Sequence, residues 1–156
     1  MPNNLPEIDA TKLAEIARTC ACFNFRKASR SLTQMFDQIL APSGLRSTQL
    51  VILISGQLSG PTSIADMARS LVMDRSTLTR NLRPLMTMGL LQFSPASGGR
   101  TKNVELTPAG RAALVQAGPY WEQAQGKIVA RFGADVWNRL LADLGAVIEA
   151  AQTGAA

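Results

Sequence analysis

The part of this chain that most constrains its fold is the segment DRSTLTRNLRPLMTMG, at positions 74–89. At 3.6 residues per turn, its three leucines fall on one side of a helix. Asp74 is a favourable N-cap because its carboxylate can accept from the free amides of the first turn. Gly89 tolerates the left-handed backbone that commonly follows a last turn. The sequence therefore predicts an amphipathic helix with defined ends, whose apolar side is Leu78, Leu82 and Leu85.

The opposite side of this predicted helix carries arginines and hydroxyls, and no carboxylate beyond its own cap. Arginine pairs bidentately with phosphate or with the O6 and N7 atoms of guanine, and short hydroxyls reach phosphates and base edges. This composition favours a helix that lies in the major groove of DNA. The alternative is an ordinary basic surface helix. Pro84 removes one backbone donor and predicts a kink. The polar side consists of Ser76, Thr79, Arg80 and Arg83.

The net charge of +5 is unevenly distributed along the chain. Residues 69–102 contain six basic side chains and one acidic one, whereas the remainder has ten of each, which cancel. The whole excess therefore lies in the segment around the predicted basic helix. A polyanionic partner for that segment is the simplest explanation.

Several functional classes are disfavoured by composition. The chain has no histidine, which excludes a histidine-dependent metal or acid–base site, and it has no glycine-rich phosphate loop before a helix. We expect no catalytic residues, no metal and no cofactor. Two cysteines without a secretion signal indicate a reducing compartment. No apolar run approaches the roughly 18 residues of a membrane span. These features predict a soluble, cytoplasmic protein.

The N-terminal part predicts a short arm and then one long helix, from Asp9 or Thr11 to about Leu40. Its apolar stripe changes side along the helix, which suggests that the first half packs on a partner subunit and the second half on its own lobe. A single helix crossing one large core is the alternative. Cys20 and Cys22 project about 200° apart on such a continuous helix, which separates their thiols.

Two helices come next, and a tight turn joins the second of them to the basic helix. Ser47 is the predicted cap of a helix over 48–58, and Ser63 with Asp66 resembles a capping box for a helix over 64–71. Together with the basic helix, this second helix makes a helix-turn-helix. The acids Asp37 and Asp66 are interpreted as surface charges.

A change of period after Gly89 predicts a β-hairpin. Leu91 and Phe93 alternate with polar residues, as do Val104 and Leu106. The tip between these strands carries Arg100 and Lys102, which suit the negative potential of a minor groove. A solvated loop with stray charges is the alternative. A hairpin beside a recognition helix is a wing.

The C-terminal part predicts two helices. Thr107 is a capping hydroxyl, and Pro108 is favourable at the first helical position. The first of these helices runs to about residue 132, and Gly133 separates it from the second, at 135–151.

In element order and at specific strings, the chain resembles the MarR family of bacterial winged helix-turn-helix regulators. The strings are GLRSTQLVIL at 44–53, SIADMARSLVMDRSTLTRNLRPLMTMGLL at 63–91 and RTKNVELTPAG at 100–110. The resemblance implies a mainly α fold, with a winged helix-turn-helix lobe, a two-stranded hairpin wing and long terminal helices. One unit would span 1–156, with dimerisation helices at 9–42 and 108–151 and the DNA-binding lobe at 45–107.

The resemblance also implies partners and site residues. The partners are a second copy of the chain, a pseudo-palindromic duplex DNA operator and a small aromatic or lipophilic effector. The family often has an acid two positions before the wing arginine, where this chain has Gly98. DNA contacts carried over by position are Ser63, Arg75, Ser76, Thr77, Thr79, Arg80, Arg83, Arg100 and Lys102. The effector or redox site would involve Cys22, Arg26 and Phe36.

The leading hypothesis is a sequence-specific transcriptional regulator, a repressor that a small molecule releases from DNA. A first alternative is an oxidant sensor that uses Cys22, because the neighbouring Arg26 favours thiolate. The tyrosines that flank the cysteine in the peroxide-sensing part of the family have no counterpart here, since Arg26 and Phe36 stand in their places. A second alternative is an architectural protein that coats DNA without sequence preference, through phosphate contacts alone.

Overall fold

The computed structural model describes residues 9–95 and 102–154. Seven α-helices, one short 3-10 helix (Ala41–Ser43) and a three-stranded antiparallel sheet are found in these ranges. The helices are α1 (Ala10–Thr19), α2 (Ala21–Leu40), α3 (Ser47–Ser59), α4 (Ile64–Ser70), α5 (Arg75–Thr87), α6 (Pro108–Phe132) and α7 (Ala134–Thr153), and the strands are β1 (Thr62–Ser63), β2 (Leu91–Pro95) and β3 (Lys102–Leu106).

The predicted single N-terminal helix is wrong, because it is divided at Cys20. That residue has extended backbone, with φ −64° and ψ 117°, between α1 and α2. The Nδ2 atom of Asn24 lies 2.9 Å from the carbonyl oxygen of Cys20 and 3.3 Å from that of Ala17, so a side chain of α2 satisfies free carbonyls at the end of α1. The break explains why the apolar stripe changes side. It also means that the 200° separation of the two thiols on one helix does not apply.

The core lies in the lobe formed by α3, α4, α5 and the sheet, with α6 and the end of α2 packed against it. The three leucines of α5 are at most 2% exposed, as their spacing predicted. Neither α1 nor α7 contributes a buried residue. The chain therefore consists of a well-packed lobe and terminal helices whose apolar side chains stay accessible.

The predicted hairpin is confirmed, and the sheet adds one strand that the pattern did not indicate. β3 pairs with β2 on one side and with the two-residue β1 on the other, in the order β1-β3-β2. Thr62 lies opposite Val104, and Leu91 lies opposite Leu106. The short β1 directly precedes α4, so it fixes the start of the helix-turn-helix against the wing.

A hydrogen-bonded joint connects α2 to α3. The predicted cap Ser47 is instead the first residue of α3. Its backbone N–H and its hydroxyl both donate to Oδ1 of Asp37, at 2.7 Å and 2.6 Å. The interpretation of Asp37 as a mere surface charge is therefore wrong, because this half-buried carboxylate satisfies the start of another helix.

Candidate nucleic-acid interface

The helix α5 presents its polar side to solvent. Ser76, Thr79, Arg80 and Arg83 are all exposed, and their spacing of three, four and seven residues places them on one face. Thr77 is half-buried, and its Oγ1 accepts from the Arg80 guanidinium at 3.1 Å. The same helix therefore buries its leucines in the lobe and directs its arginines outward.

The start of α5 is fixed by its own carboxylate. Oδ1 of Asp74 accepts from the backbone N–H of Thr77 at 2.7 Å and from the hydroxyl of Ser76. Hydrogen bonds from Ser76 and then Thr77 hold the pKa of this carboxyl well below its ordinary value. Asp74 therefore remains ionised at neutral pH, and its charge serves the N-terminus of the helix.

The arginines of α5 have no carboxylate partners in the described parts of the chain. The ion pairs found there are Lys12 with Glu15 and Arg69 with Asp66, neither of which involves α5. Guanidinium groups without a carboxylate partner keep donors available for an external anion, although one nitrogen of Arg80 donates to Thr77.

Ser63 has a structural role at the start of α4. Its hydroxyl accepts from the backbone N–H of Asp66 at 3.1 Å and donates to that residue's Oδ2 at 2.7 Å. The hydrogen bond from Ser63 and then that from Arg69 lower the pKa of Asp66. The N-cap predicted at Ser63 is confirmed. The second half of the predicted capping box is not formed, because the Asp66 carboxylate accepts from the hydroxyl of Ser63 and not from its backbone N–H. Among the predicted DNA contacts that the structure describes, the side chain of Ser63 therefore makes the most internal hydrogen bonds.

The end of α5 is tied to α6 and the wing. Gly89 has φ +71°, and the N–H groups of Gly89 and Leu90 donate to the carbonyls of Met86 and Leu85 at 3.0 Å and 2.9 Å, which is a Schellman motif. The Thr107 hydroxyl donates to the Gly89 carbonyl at 2.6 Å and accepts from the N–H of Gly110 at 3.0 Å. One threonine thus caps α6 and holds the end of α5.

The described part of the wing consists of its two strands. Lys102 is exposed, and its Nζ lies 5.7 Å from the centre of the Phe93 ring. Phe93 is 47% exposed, although Leu91 on the same side of β2 is buried. Arg100, the predicted wing arginine, lies outside the described residues.

The turn between α4 and α5, residues 71–73, contains an unusual backbone conformation. Val72 has φ +52°, a region that β-branched residues rarely adopt because Cβ meets the following carbonyl. Its side chain is 61% exposed, so little packing offsets this strain. The turn that sets the angle of the basic helix is therefore strained.

Replacing Val72 with glycine should stabilise the protein. Relief of the left-handed strain should stabilise the folded state by about 1–2 kcal/mol. This gain exceeds the cost of about 0.5–1 kcal/mol that arises because glycine gives the unfolded chain more conformational entropy. We expect the free energy of unfolding in urea to rise by about 0.5–1 kcal/mol. The matched control is Val115→Gly, at a 77% exposed position inside α6, where the same change should lower stability. A loss of stability in both variants would contradict the strain at Val72.

Two of the three residues predicted for an effector site line neighbouring cavities, and the third does not. The first cavity, here the apolar cavity, has a volume of about 230 Å³ and contains Phe36. The second, here the basic groove, contains Arg26. Cys22 is exposed and lines neither. The apolar cavity is lined by Leu32, Thr33, Phe36, Ser47, Thr48, Val51 and Met73, and the basic groove by Phe25, Arg26, Ser29, Arg30 and Val72.

Three residues that line these cavities were not predicted from the sequence, namely Arg30, Val72 and Met73. A signal for Arg30 was present, because Arg26, Arg30 and Thr33 are spaced for one helix face. No local signal places residues 72 and 73 beside α2, since that contact depends on how the lobe packs.

Other types of site are absent from the described residues. In 9–95 and 102–154, no three acidic or cysteine side chains come together as a metal site would require. Within the same ranges, no helix has the length and apolarity needed to cross a membrane.

Relatives of known structure share this architecture. MosR, a transcriptional regulator from M. tuberculosis, superposes with a TM-score of 0.77 at 36% identity, over 88% of this chain and 98% of MosR. Its complex with DNA gives a TM-score of 0.78 at 36% identity, over 86% of this chain and 97% of that one. A variant of MarR from E. coli bound to operator DNA shares the fold, with a TM-score of 0.76 at 20% identity over 90% and 99% of the two chains.

A relative found by its sequence is also described as a helix-turn-helix transcriptional repressor. The HTH-type transcriptional repressor NicR from Pseudomonas putida is 36% identical over 90 residues, which is 57% of this chain and 57% of NicR. No protein-family model matches the sequence.

A helix-turn-helix with an outward-facing basic helix and an adjacent hairpin defines a winged helix-turn-helix transcriptional regulator. The hairpin wing and the terminal helices agree with the fold class that the sequence predicted. The chain belongs to the MarR family.

Proposed function

We propose that this chain is a sequence-specific DNA-binding repressor that acts as a homodimer in the cytoplasm and is not an enzyme. The observation that carries the proposal is the exposed face of α5, where two arginines lie beside hydroxyls with no carboxylate within ion-pair distance in the described residues. Support comes from MosR, which has been solved with DNA, and from NicR, whose name states that it represses transcription.

Two kinds of contact are expected from α5 and the wing. Arg80, Arg83, Ser76 and Thr79 are proposed to read base edges, since they share the exposed face of the helix. Arg75 at its N-terminal end and Lys102 on the wing are suited to phosphates, as are Thr77, Ser63 and Arg100 in the positions that the family uses. Phosphate contacts fix the register of the protein on the duplex, whereas base contacts specify the sequence. Loss of a phosphate contact should therefore weaken binding to all sequences, and loss of a base contact should also reduce the sequence preference.

Base reading by Arg80 can be tested directly. We expect Arg80→Ala to weaken binding to the preferred site by about 1–3 kcal/mol and to relax the preference at one base pair. Bound sequences are selected from a random duplex pool with the wild type and the variant, and affinities are then measured by anisotropy at fixed salt. Arg131→Ala, an exposed arginine in the last turn of α6, serves as the control.

The same measurement separates the repressor from an architectural protein. A regulator binds its selected site more tightly than a random duplex at the same salt concentration. Equal affinity for both would favour sequence-blind coating of DNA. If Arg80→Ala kept the sequence preference of the wild type, Arg80 would not read a base, but the proposal that the protein binds DNA would stand.

The terminal helices are proposed to form the dimer. Leu13 and Ile16 on α1 are 50% and 46% exposed, and Leu141 and Ile148 on α7 are 48% and 50% exposed. Apolar side chains accumulated on helices that bury nothing within the chain are typical of an interface. A dimer would present two copies of α5 to successive major grooves, about 34 Å apart.

Release from DNA is proposed to occur through a small molecule bound between α2 and the lobe, at the cavities that contain Phe36 and Arg26. A ligand there could change the equilibrium between lobe spacings only by its differential affinity for them. Oxidation of Cys22 stays a prediction from the sequence. Its exposed thiol is accessible to an oxidant, and it lies outside both cavities.

A further inference from the structure

We propose that the basic groove is part of a second DNA-binding surface, on which Arg26 and Arg30 of α2 contact phosphates of the duplex between the two half-sites. These contacts would add to those of α5 and the wing and would carry no base preference of their own. The inference rests on the proposed function, because it extends the surface with which the same dimer meets its operator.

The two arginines form an exposed ridge on α2. Both side chains are exposed, and both line the basic groove. Both also line a second groove, together with Phe23, Lys27 and Ser31, so they stand between the two grooves. They are four residues apart and therefore neighbours on one helix face, where their guanidinium groups can bind the same stretch of a polyanion.

The cations of α2 have no acid to neutralise them in the described parts of the chain. Between residues 21 and 36, α2 contains three cations and no acid. Neither ion pair of the described residues involves α2. Asp37, the first acid further along α2, accepts two hydrogen bonds from Ser47. The ridge therefore keeps its charge available for an anion outside the chain.

The basic groove adjoins the start of α5. Its other wall is Val72, in the turn that precedes this helix. The exposed Arg75 follows three residues later, so the Cα atoms of these two residues are at most about 11 Å apart. One strand of duplex DNA presents a phosphate about every 3.4 Å along the axis, so this interval corresponds to about three phosphates. One continuous stretch of DNA backbone can thus follow Arg75 and the ridge.

The N-terminus of α5 is itself closed to phosphate. Helix N-termini commonly bind phosphate through their free amides. Here the Asp74 carboxylate takes that place, because its Oδ1 accepts from the N–H of Thr77 and from the hydroxyl of Ser76. A phosphate that approaches the start of α5 must therefore be bound by side chains, and the arginines of the ridge supply the positive charge.

The connection of α2 to the dimer places this surface towards the centre of the operator. α2 joins the lobe to α1, whose exposed Leu13 and Ile16 are proposed to lie in the dimer interface. The groove between α2 and the lobe would therefore face the space between the two lobes. With the two copies of α5 about 34 Å apart, each ridge would lie within about 17 Å of the two-fold axis.

The first experiment measures how salt weakens binding of the full-length protein to its selected operator duplex, by anisotropy between about 50 and 200 mM KCl. Arg26→Gln or Arg30→Gln removes two phosphate contacts from a dimer, so the slope of log K against log salt should become less negative by about 1.8. The sequences selected from a random pool should stay the same. Arg131→Gln, at an exposed position in the last turn of α6, should keep the wild-type slope.

Two results of this experiment would overturn the inference. An unchanged slope in the α2 variants would show that the ridge does not contact phosphate. An equal change in Arg131→Gln would reduce the effect to one of net charge.

The second experiment locates the contacts on the DNA. Single phosphates of the operator are replaced by neutral methylphosphonates, and the loss of affinity is compared between the wild type and the double variant Arg26→Gln, Arg30→Gln. We expect the wild type alone to lose affinity at phosphates between the half-sites, and both proteins to lose it equally at the outer phosphates. Equal losses at every position would contradict the second surface.

Sedimentation of the same variants separates this inference from the function beneath it. A double variant that became monomeric would assign the arginines to the dimer interface and overturn their contact with DNA. If the wild type bound its selected site and a random duplex equally, the sequence-specific repressor would be refuted, while the salt slopes would still decide whether the ridge contacts phosphate.

Discussion

Gly110→Ala should unfold or severely destabilise this protein. A Cβ atom at this position would lie 2.1 Å from the carbonyl oxygen of Leu90, a backbone atom that cannot turn aside. The same carbonyl accepts from the N–H of Thr107 at 3.1 Å, so any movement of Leu90 breaks the connection between the end of α5 and the start of α6. We expect a loss of about 3 kcal/mol or more in the free energy of unfolding.

The measurement is urea denaturation at one fixed protein concentration, since dimer formation contributes to apparent stability. Gly126→Ala is the matched control, because this glycine also lies in α6 and its Cβ would meet nothing within 4 Å. That variant should gain about 0.5–1 kcal/mol. If both alanine variants were equally stable, the close approach of α6 to Leu90 would be disproved.

Placing charge on α7 should abolish the dimer and, with it, tight operator binding. Leu141 and Ile148 lie seven residues apart on one side of α7, and both are about half exposed in the isolated chain. The double variant Leu141→Asp, Ile148→Asp would place two unpaired carboxylates in the interface, each costing several kcal/mol if buried. We expect a monomer with a normal far-ultraviolet spectrum and an affinity for the full operator reduced by about 100-fold or more.

Analytical ultracentrifugation reports the oligomeric state, and anisotropy reports operator binding. Leu58→Asp is the control, because Leu58 is 82% exposed but lies on α3, away from the terminal helices. It should remain dimeric. A double variant that stays dimeric would show that α7 is not the interface, while a wild type that sediments as a monomer would refute the proposed dimer itself.

Features with local causes were predictable from the sequence. Asp74, Ser63 and Thr107 act as caps because the side chain that accepts the hydrogen bond lies within three residues of the amide that donates it. The leucines of α5 are buried because their spacing places them on the side of the helix that faces the core. The face of α5 proposed to contact DNA follows from the same periodicity.

Features that depend on distant partners were not predictable. The break at Cys20 involves neither glycine nor proline, and Asn24 satisfies it from the following helix. The role of Asp37 depends on Ser47, ten residues away, across an intervening turn. The basic groove was not predicted, because the net charge was counted along the chain and this part of the chain is neutral overall. The acids that balance Arg26 and Arg30 in the count are not paired with them in the described structure.

The joint between Asp37 and Ser47 has a consequence for the length of DNA that a dimer can span. A single carboxylate receives two donors from one serine, so it restricts how far the lobe can pivot around the helix that leads to the dimer. Lengthening that arm by one methylene, as in Asp37→Glu, should tilt both lobes symmetrically and change the separation between the two copies of α5. The spacing of half-sites expected for the proposed dimer therefore depends in part on a residue outside the face of α5 proposed to contact DNA.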